Sequence, residues 1–148
     1  GLESLFRFLQ LLHVAPTNAN RKENDNYFKY VIPVEQYIQF HYKDRDSIMK
    51  FVKTIGIERS YFYRIFKMHT GMSLEKYLIS YRIQQSKIML CDSNIPIEEI
   101  ADIVGYENYV AFYKAFKKHV GKSPSDYRNQ RQKEKLLEST NNLFQEKR

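Results

Sequence analysis

The 148-residue chain is 43% apolar and 15% aromatic, which is enough to bury a core and excludes a purely disordered segment. Lys and Arg number 24 against 17 Asp and Glu, a net charge of +7, so an anionic partner is favoured: nucleic acid, or an acidic membrane surface. The single cysteine, Cys91, excludes an internal disulfide and stands in no Cys/His cluster that could build a zinc site. No apolar run approaches the roughly 20 residues of a membrane span, and the expected setting is the reducing cytoplasm.

In chain order, Leu2, Leu5, Phe6, Leu9 and Leu12 fall at helical spacing and predict a short helix with a broad apolar face. Between Ala15 and Lys29 the sequence is polar and rich in Asn without periodicity, and it reads as a linker. The compact domain is expected to begin at Pro33, which can open a helix whose Val34, Tyr37, Ile38 and His41 share a face. Asp46 offers an N-cap for a helix carrying Ile48, Phe51, Val52 and Ile55, and Gly56 stops it. A helix over about 59–69 follows, with Phe62, Ile65 and Phe66 inward and Gly71 as its C-terminal stop. Two short helices joined by a glycine turn outline a helix-turn-helix.

From the N-cap Ser73 a long helix is expected to about Leu90, with Tyr77, Leu78, Tyr81, Ile83, Ile88 and Leu90 among its apolar positions. Asn94 and Pro96 start a short helix with Ile97, Ile100, Ala101 and Val104. Gly105 turns the chain, and a helix over about 108–119 ends at Gly121. Ser123-Pro124-Ser125-Asp126 combines an N-cap, a first-turn proline and an acid three residues on, and it opens a last helix that carries Tyr127 inward. The charged stretch 132–148, with Leu136, Leu137, Leu143 and Phe144 as its only anchors, is either a helical tail or frayed.

The outline occurs twice. Phe62-Tyr63-Arg64-Ile65-Phe66-Lys67 matches Phe112-Tyr113-Lys114-Ala115-Phe116-Lys117 at an offset of 50, and the same offset pairs His69 with His119, Gly71 with Gly121, Ser73 with Ser123 and Tyr77 with Tyr127. A register kept through cap, stop and core argues for two copies of one unit. Gly56 and Gly105 differ by 49, so the second turn carries one extra residue. Phenylalanines four apart share a helical face, which leaves Tyr63, Arg64 and Lys67, and Tyr113, Lys114 and Lys117, to project elsewhere. A charged outer face on one amphipathic helix is ordinarily just solvated. Two such faces, separated by a helix of roughly 25 Å, suit major grooves about one DNA turn, roughly 34 Å, apart.

The segment from Val34 to Arg131 resembles the DNA-binding domain of the AraC/XylS family of bacterial transcription regulators. The resemblance is carried above all by Ile97-Glu98-Glu99-Ile100-Ala101-Asp102-Ile103-Val104-Gly105-Tyr106, followed by Phe112, Phe116-Lys117-Lys118, Gly121, Ser123-Pro124 and Tyr127-Arg128. It implies an all-α, homeodomain-like arrangement of seven helices, in which two helix-turn-helix subdomains, at about 46–69 and 97–119, are joined by a long linker helix. It also implies a domain division of 1–32 (the end of a preceding sensor or dimerisation domain, with linker), 33–131 (the DNA-binding domain) and 132–148 (a charged tail).

Carried over by position, the base readers are Ser60, Tyr61, Tyr63 and Arg64 in the first motif and Tyr109, Val110, Tyr113 and Lys114 in the second. Arg59, Lys67, Asn94, Lys117, Lys118 and Lys122 flank the helices or sit at termini and are the phosphate candidates. Val52, four before Gly56, departs from the pattern, because the second motif has Ala101 four before Gly105.

Cys91 reads as a small buried apolar residue, and His69 and His119 as helix C-terminal residues favoured by the dipole rather than as metal ligands. No catalytic constellation or phosphate-cradling glycine loop stands out, so no enzyme activity, cofactor or metal is expected. By analogy with the family, the partners are promoter DNA and RNA polymerase, with a homodimer formed through the preceding domain and a small-molecule effector, often a sugar, bound in a part beyond this chain. The rival readings are a basic helical protein-interaction module and a membrane-surface protein anchored by Leu2 to Leu12.

Overall fold

The computed structural model describes residues 18–145, and among them every regular element is helical. The elements are α1 (Asn18–Asn26), a π-helical turn (Tyr27–Val31), α2 (Ile32–His41), α3 (Arg45–Thr54), α4 (Arg59–Thr70), α5 (Leu74–Asp92), α6 (Ile97–Ile103), α7 (Tyr109–Val120) and α8 (Pro124–Gln145). The helix expected over Leu2 to Leu12 lies outside the described residues. The seven helices from α2 onward are those the family resemblance implies. The described chain forms two compact units, and the division falls inside α5 after Leu78.

In the first unit, the described part of the stretch read as a linker, from Asn18 on, is instead helical. Its backbone runs through the π turn, closed by the Ile32 N–H donating to the Tyr27 carbonyl, directly into α2. Pro33 has no N–H and its ring would crowd an unbroken α-helical turn; the widened π turn lies immediately before it, where that room is needed. Tyr27 and Val31 are buried, so the packed segment reaches upstream of Pro33. With Val34 and Ile38 they form one stripe at spacings of four, three and four.

The α2–α3 contact is aromatic: Tyr37 stacks between His41, at 4.0 Å, and Phe51, at 4.1 Å between centroids. The N-cap of α3 is Asp44 and not Asp46; its carboxylate accepts the Ser47 N–H at 3.0 Å, which places Asp46 in the first turn. Ile48, Val52, Phe62, Ile65 and Phe66 close the core, so the larger Val52 is accommodated without leaving it. Each fully buried Phe contributes about 1.5–3 kcal/mol by removal from water. Gly71, at φ +79°, ends α4 in the left-handed conformation with its N–H on the Lys67 carbonyl.

The second unit repeats the plan. Ile100, Ala101, Val104, Phe112 and Phe116 are buried with Ile83 and Leu90 of α5. Ile88, one of the apolar positions of α5, is 55% exposed, and Cys91 is half-buried. Asn94 caps nothing, because Pro96 occupies the N-cap of α6. Three residues separate Gly105 from α7 where two separate Gly56 from α4, which locates the extra residue of the second turn.

At the start of α8 the Ser123 hydroxyl accepts the Asp126 N–H at 3.1 Å and donates to its carboxylate at 2.6 Å. Tyr127 meets Phe116 edge-on at 5.6 Å, as Tyr77 meets Phe66 at 5.4 Å in the first unit. Arg128 donates to the carbonyls of Leu90, at 3.3 Å, and Ile95, at 2.7 Å, tying α8 to the end of α5. Beyond it α8 continues as helix to Gln145, held by Lys135 on Asp92 at 2.6 Å, while Leu136, Leu137 and Leu143 are exposed rather than anchored.

Candidate nucleic-acid interface

The second helix of each helix-turn-helix is α4 in the first unit and α7 in the second. In both, paired phenylalanines bury one face and so fix which side chains the other face presents. On α4, Arg59, Ser60, Arg64 and Lys67 are exposed, with Tyr61 and Tyr63 half-buried at the edges of that face. On α7, Val110, Lys114, Lys117 and Lys118 are exposed, and Tyr109 and Tyr113 are half-buried.

Three of these six cations are held over aromatic rings. Arg59 lies over Tyr63 at 5.4 Å, Arg64 over Tyr61 at 5.2 Å and Lys117 over Tyr113 at 5.8 Å from the ring centroids. Such contacts are worth about 0.5–1 kcal/mol at exposed sites and reduce the freedom of long side chains before any ligand arrives. Tyr109 and Tyr113 lie 6.0 Å apart, and burial, with the Glu98 carboxylate adding, raises the Tyr109 hydroxyl above its ordinary pKa. It therefore stays a protonated donor at neutral pH.

Two phosphate candidates stand apart from these faces. Lys122 follows the end of α7 and donates to the Gln130 side chain of α8, and Asn94 lies exposed in the loop before α6.

Three residues of the site escaped the sequence reading. Ala111 is exposed at the position that the fifty-residue offset pairs with Tyr61; the offset locates it, but a methyl group carries no chemical signal. Glu58 is the N-cap of α4, accepting from the N–H groups of Ser60 at 3.0 Å and Tyr61 at 2.8 Å and from the Ser60 hydroxyl. Those hydrogen bonds, the one from the Ser60 N–H first, hold its carboxyl below the usual range. Its counterpart in the second motif is the neutral Asn108, which accepts the Ala111 N–H at 2.9 Å. The third is Asn26, whose amide donates to the Tyr61 hydroxyl at 3.0 Å.

Among the described residues no group of three or more His, Cys, Asp or Glu is placed to hold a metal ion, and no helix is long and apolar enough to cross a membrane.

Residues 51–130 match the family model described as a helix-turn-helix domain. Over 121 residues the chain is 35% identical to the raffinose operon transcriptional regulatory protein RafR of Pediococcus pentosaceus, covering 82% of this chain and 43% of that protein. The chain spans less than half the length of the curated relatives it first matches.

Among solved structures it is similar to the C-terminal domain of AraT, a response regulator from Geobacillus stearothermophilus, with a TM-score of 0.63 and 34% identity over 69% of this chain and 85% of that one. It is also similar to the DNA-binding domain of the global transcriptional factor AdpA, determined in complex with a target DNA, with a TM-score of 0.63 and 25% identity over 68% of this chain and 90% of that one. The doubled motif, the linker helix and these matches agree, and the chain belongs to the AraC-type helix-turn-helix family of DNA-binding transcription regulators.

Proposed function

We propose that this chain is the sequence-reading part of a longer regulator, in which α4 and α7 each enter a major groove of one duplex. The carrying observation is that both helices bury a phenylalanine pair and expose cations on the opposite side, with half-buried tyrosines beside them. Ser60, Tyr61, Tyr63 and Arg64 read bases beneath α4; Tyr109, Val110, Tyr113 and Lys114 read them beneath α7. Hydroxyls and cations find acceptors on purine and thymine edges, and Val110 suits a thymine methyl. Arg59, Lys67, Lys117 and Lys118 flank these groups and neutralise phosphates; Asn94 and Lys122 are the outlying members of that set.

The regulated genes are proposed to serve sugar utilisation, and the regulator to act as an activator with RNA polymerase as its partner. The similarity to a regulator named for the raffinose operon supports the sugar reading. A homodimer formed through a preceding domain, an effector bound in that domain and a cytoplasmic location complete the proposal; the chain itself needs no cofactor.

Selection of bound duplexes from a random pool by the purified chain, followed by titration at two salt concentrations, tests the reading. Recovery of two short elements is expected. Recovery of no motif, with affinity that tracks charge alone, would leave a basic helical module docking on some other acidic partner.

A further inference from the structure

We infer that Asn26, which lies outside the family-matched segment, determines what Tyr61 can recognise by fixing its hydroxyl as a hydrogen-bond donor toward DNA. The inference rests on the reading of α4 as a recognition helix. Tyr61 is held at three points: its backbone N–H by Glu58 at 2.8 Å, its ring by Arg64 at 5.2 Å, and its hydroxyl oxygen by the Asn26 amide at 3.0 Å. The last contact spans 35 residues of sequence and is available because Tyr27, next to Asn26, is buried with its ring 5.1 Å from His69 of α4. The end of α1 is thereby anchored to the recognition helix.

A phenol has one hydrogen to give and lone pairs to receive. With the Asn26 amide donating to the oxygen, the Tyr61 hydrogen is left to point outward, and among the described residues no side chain or carbonyl accepts it. At a major-groove edge such a donor pairs with guanine O6 or N7, adenine N7 or thymine O4, and it is mismatched to the cytosine amino group. Asn26 therefore acts through Tyr61 as a positioning residue, and the base preference at one position beneath α4 depends on an element more than 20 residues upstream of the family match.

The test is duplex selection with the 148-residue chain, its Tyr61→Phe, Asn26→Ala and Asn26→Asp variants, and the Tyr61→Phe/Asn26→Ala double variant, each checked for an unchanged thermal midpoint. Tyr61→Phe and Asn26→Ala are expected to lose discrimination at the same single base position by about two- to tenfold. The double variant should lose no more than either, and positions beneath α7 should be unaltered. Asn26→Asp keeps the shape but accepts from the phenol and turns its hydrogen inward, so it should lose the same preference on top of a uniform weakening from its charge.

If Asn26→Ala selects the parent motif unchanged while Tyr61→Phe loses a position, or if Asn26→Ala weakens selected and random DNA alike, the inference is overturned and the DNA-reading role stands. If the parent chain recovers no motif at all, the functional reading fails first.

Discussion

Glu58 and Tyr61 are joined by a hydrogen bond of 2.8 Å from the Tyr61 N–H to the Glu58 carboxylate, which puts a negative charge at the N-terminus of the first recognition helix. The carboxylate offsets the positive end of the helix dipole and satisfies two otherwise unpaired N–H groups. Asn108 does the hydrogen-bonding part of this task on α7 without charge. The two motifs therefore differ in how pH and salt act on them.

The Glu58 carboxyl is held below its ordinary value by the hydrogen bonds it accepts, that from Ser60 N–H first. Because the folded value is depressed, the cap contributes fully above the unfolded value and is lost as pH falls through the folded one. A Glu58→Ala variant should unfold at a lower temperature than the parent above about pH 5, with the difference closing below about pH 4. Thermal unfolding followed by circular dichroism across that range reads it; a difference independent of pH would mean that the carboxylate charge plays no part.

On α7, Lys114 and Lys118 are four residues apart on the exposed face, yet they are assigned different tasks. Lys114→Ala should weaken the selected site by about 1–3 kcal/mol if its base contact is bidentate, and relax preference beneath α7. Lys118→Ala should weaken all sequences alike and lower the salt slope by about 1. Titrations of specific and random duplexes at two salt concentrations separate the two, and identical behaviour of the variants would dissolve the distinction between reader and phosphate contact.

The features legible in the sequence are those whose physical cause is local. Phe62 with Phe66 and Phe112 with Phe116 mark inward faces by spacing alone, and Ser73, Ser123, Gly71 and Gly121 mark helix ends by their capping chemistry. The misread features have distant causes or disfavoured residue types. The helicity of α1 has no apolar periodicity of its own, and its anchor, Tyr27, packs on a residue 42 positions away. Glu58 is not among the preferred N-cap residues. Arg82 is buried against the Tyr106 ring at 5.6 Å, a contact that spacing cannot announce. Pro33 reads as a helix start because proline so often opens helices, whereas here it follows a π turn within continuous helical backbone.

The buried phenylalanine pairs also set what the recognition faces depend on. Phe116 is fully buried and touches both Phe112, at 5.6 Å, and Tyr127, at 5.6 Å. Phe116→Ala should cost about 3–5 kcal/mol in urea unfolding and release α7 from α8. Specific DNA affinity should fall with it although no DNA-facing group has changed. Phe116→Leu, which keeps most of the volume, should retain much of both, and loss of DNA binding without loss of stability would show that the ring does something other than pack.

Gly121 gives the cleanest test of the backbone at a helix end. It stands at φ +84° with its N–H on the Lys117 carbonyl, and a Cβ built there meets nothing within 4 Å. Substitution therefore brings no collision, and its cost is the left-handed conformation itself, about 1–2 kcal/mol for Ala. Asn, whose short side chain tolerates that region, should cost less. Urea unfolding of Gly121→Ala and Gly121→Asn measures both, with DNA affinity per folded molecule expected to stay at the parent level. An Ala variant as stable as the parent would mean that the chain can end α7 in another conformation, and the direction in which Lys122 and Ser123 leave the helix would then not be fixed by this glycine.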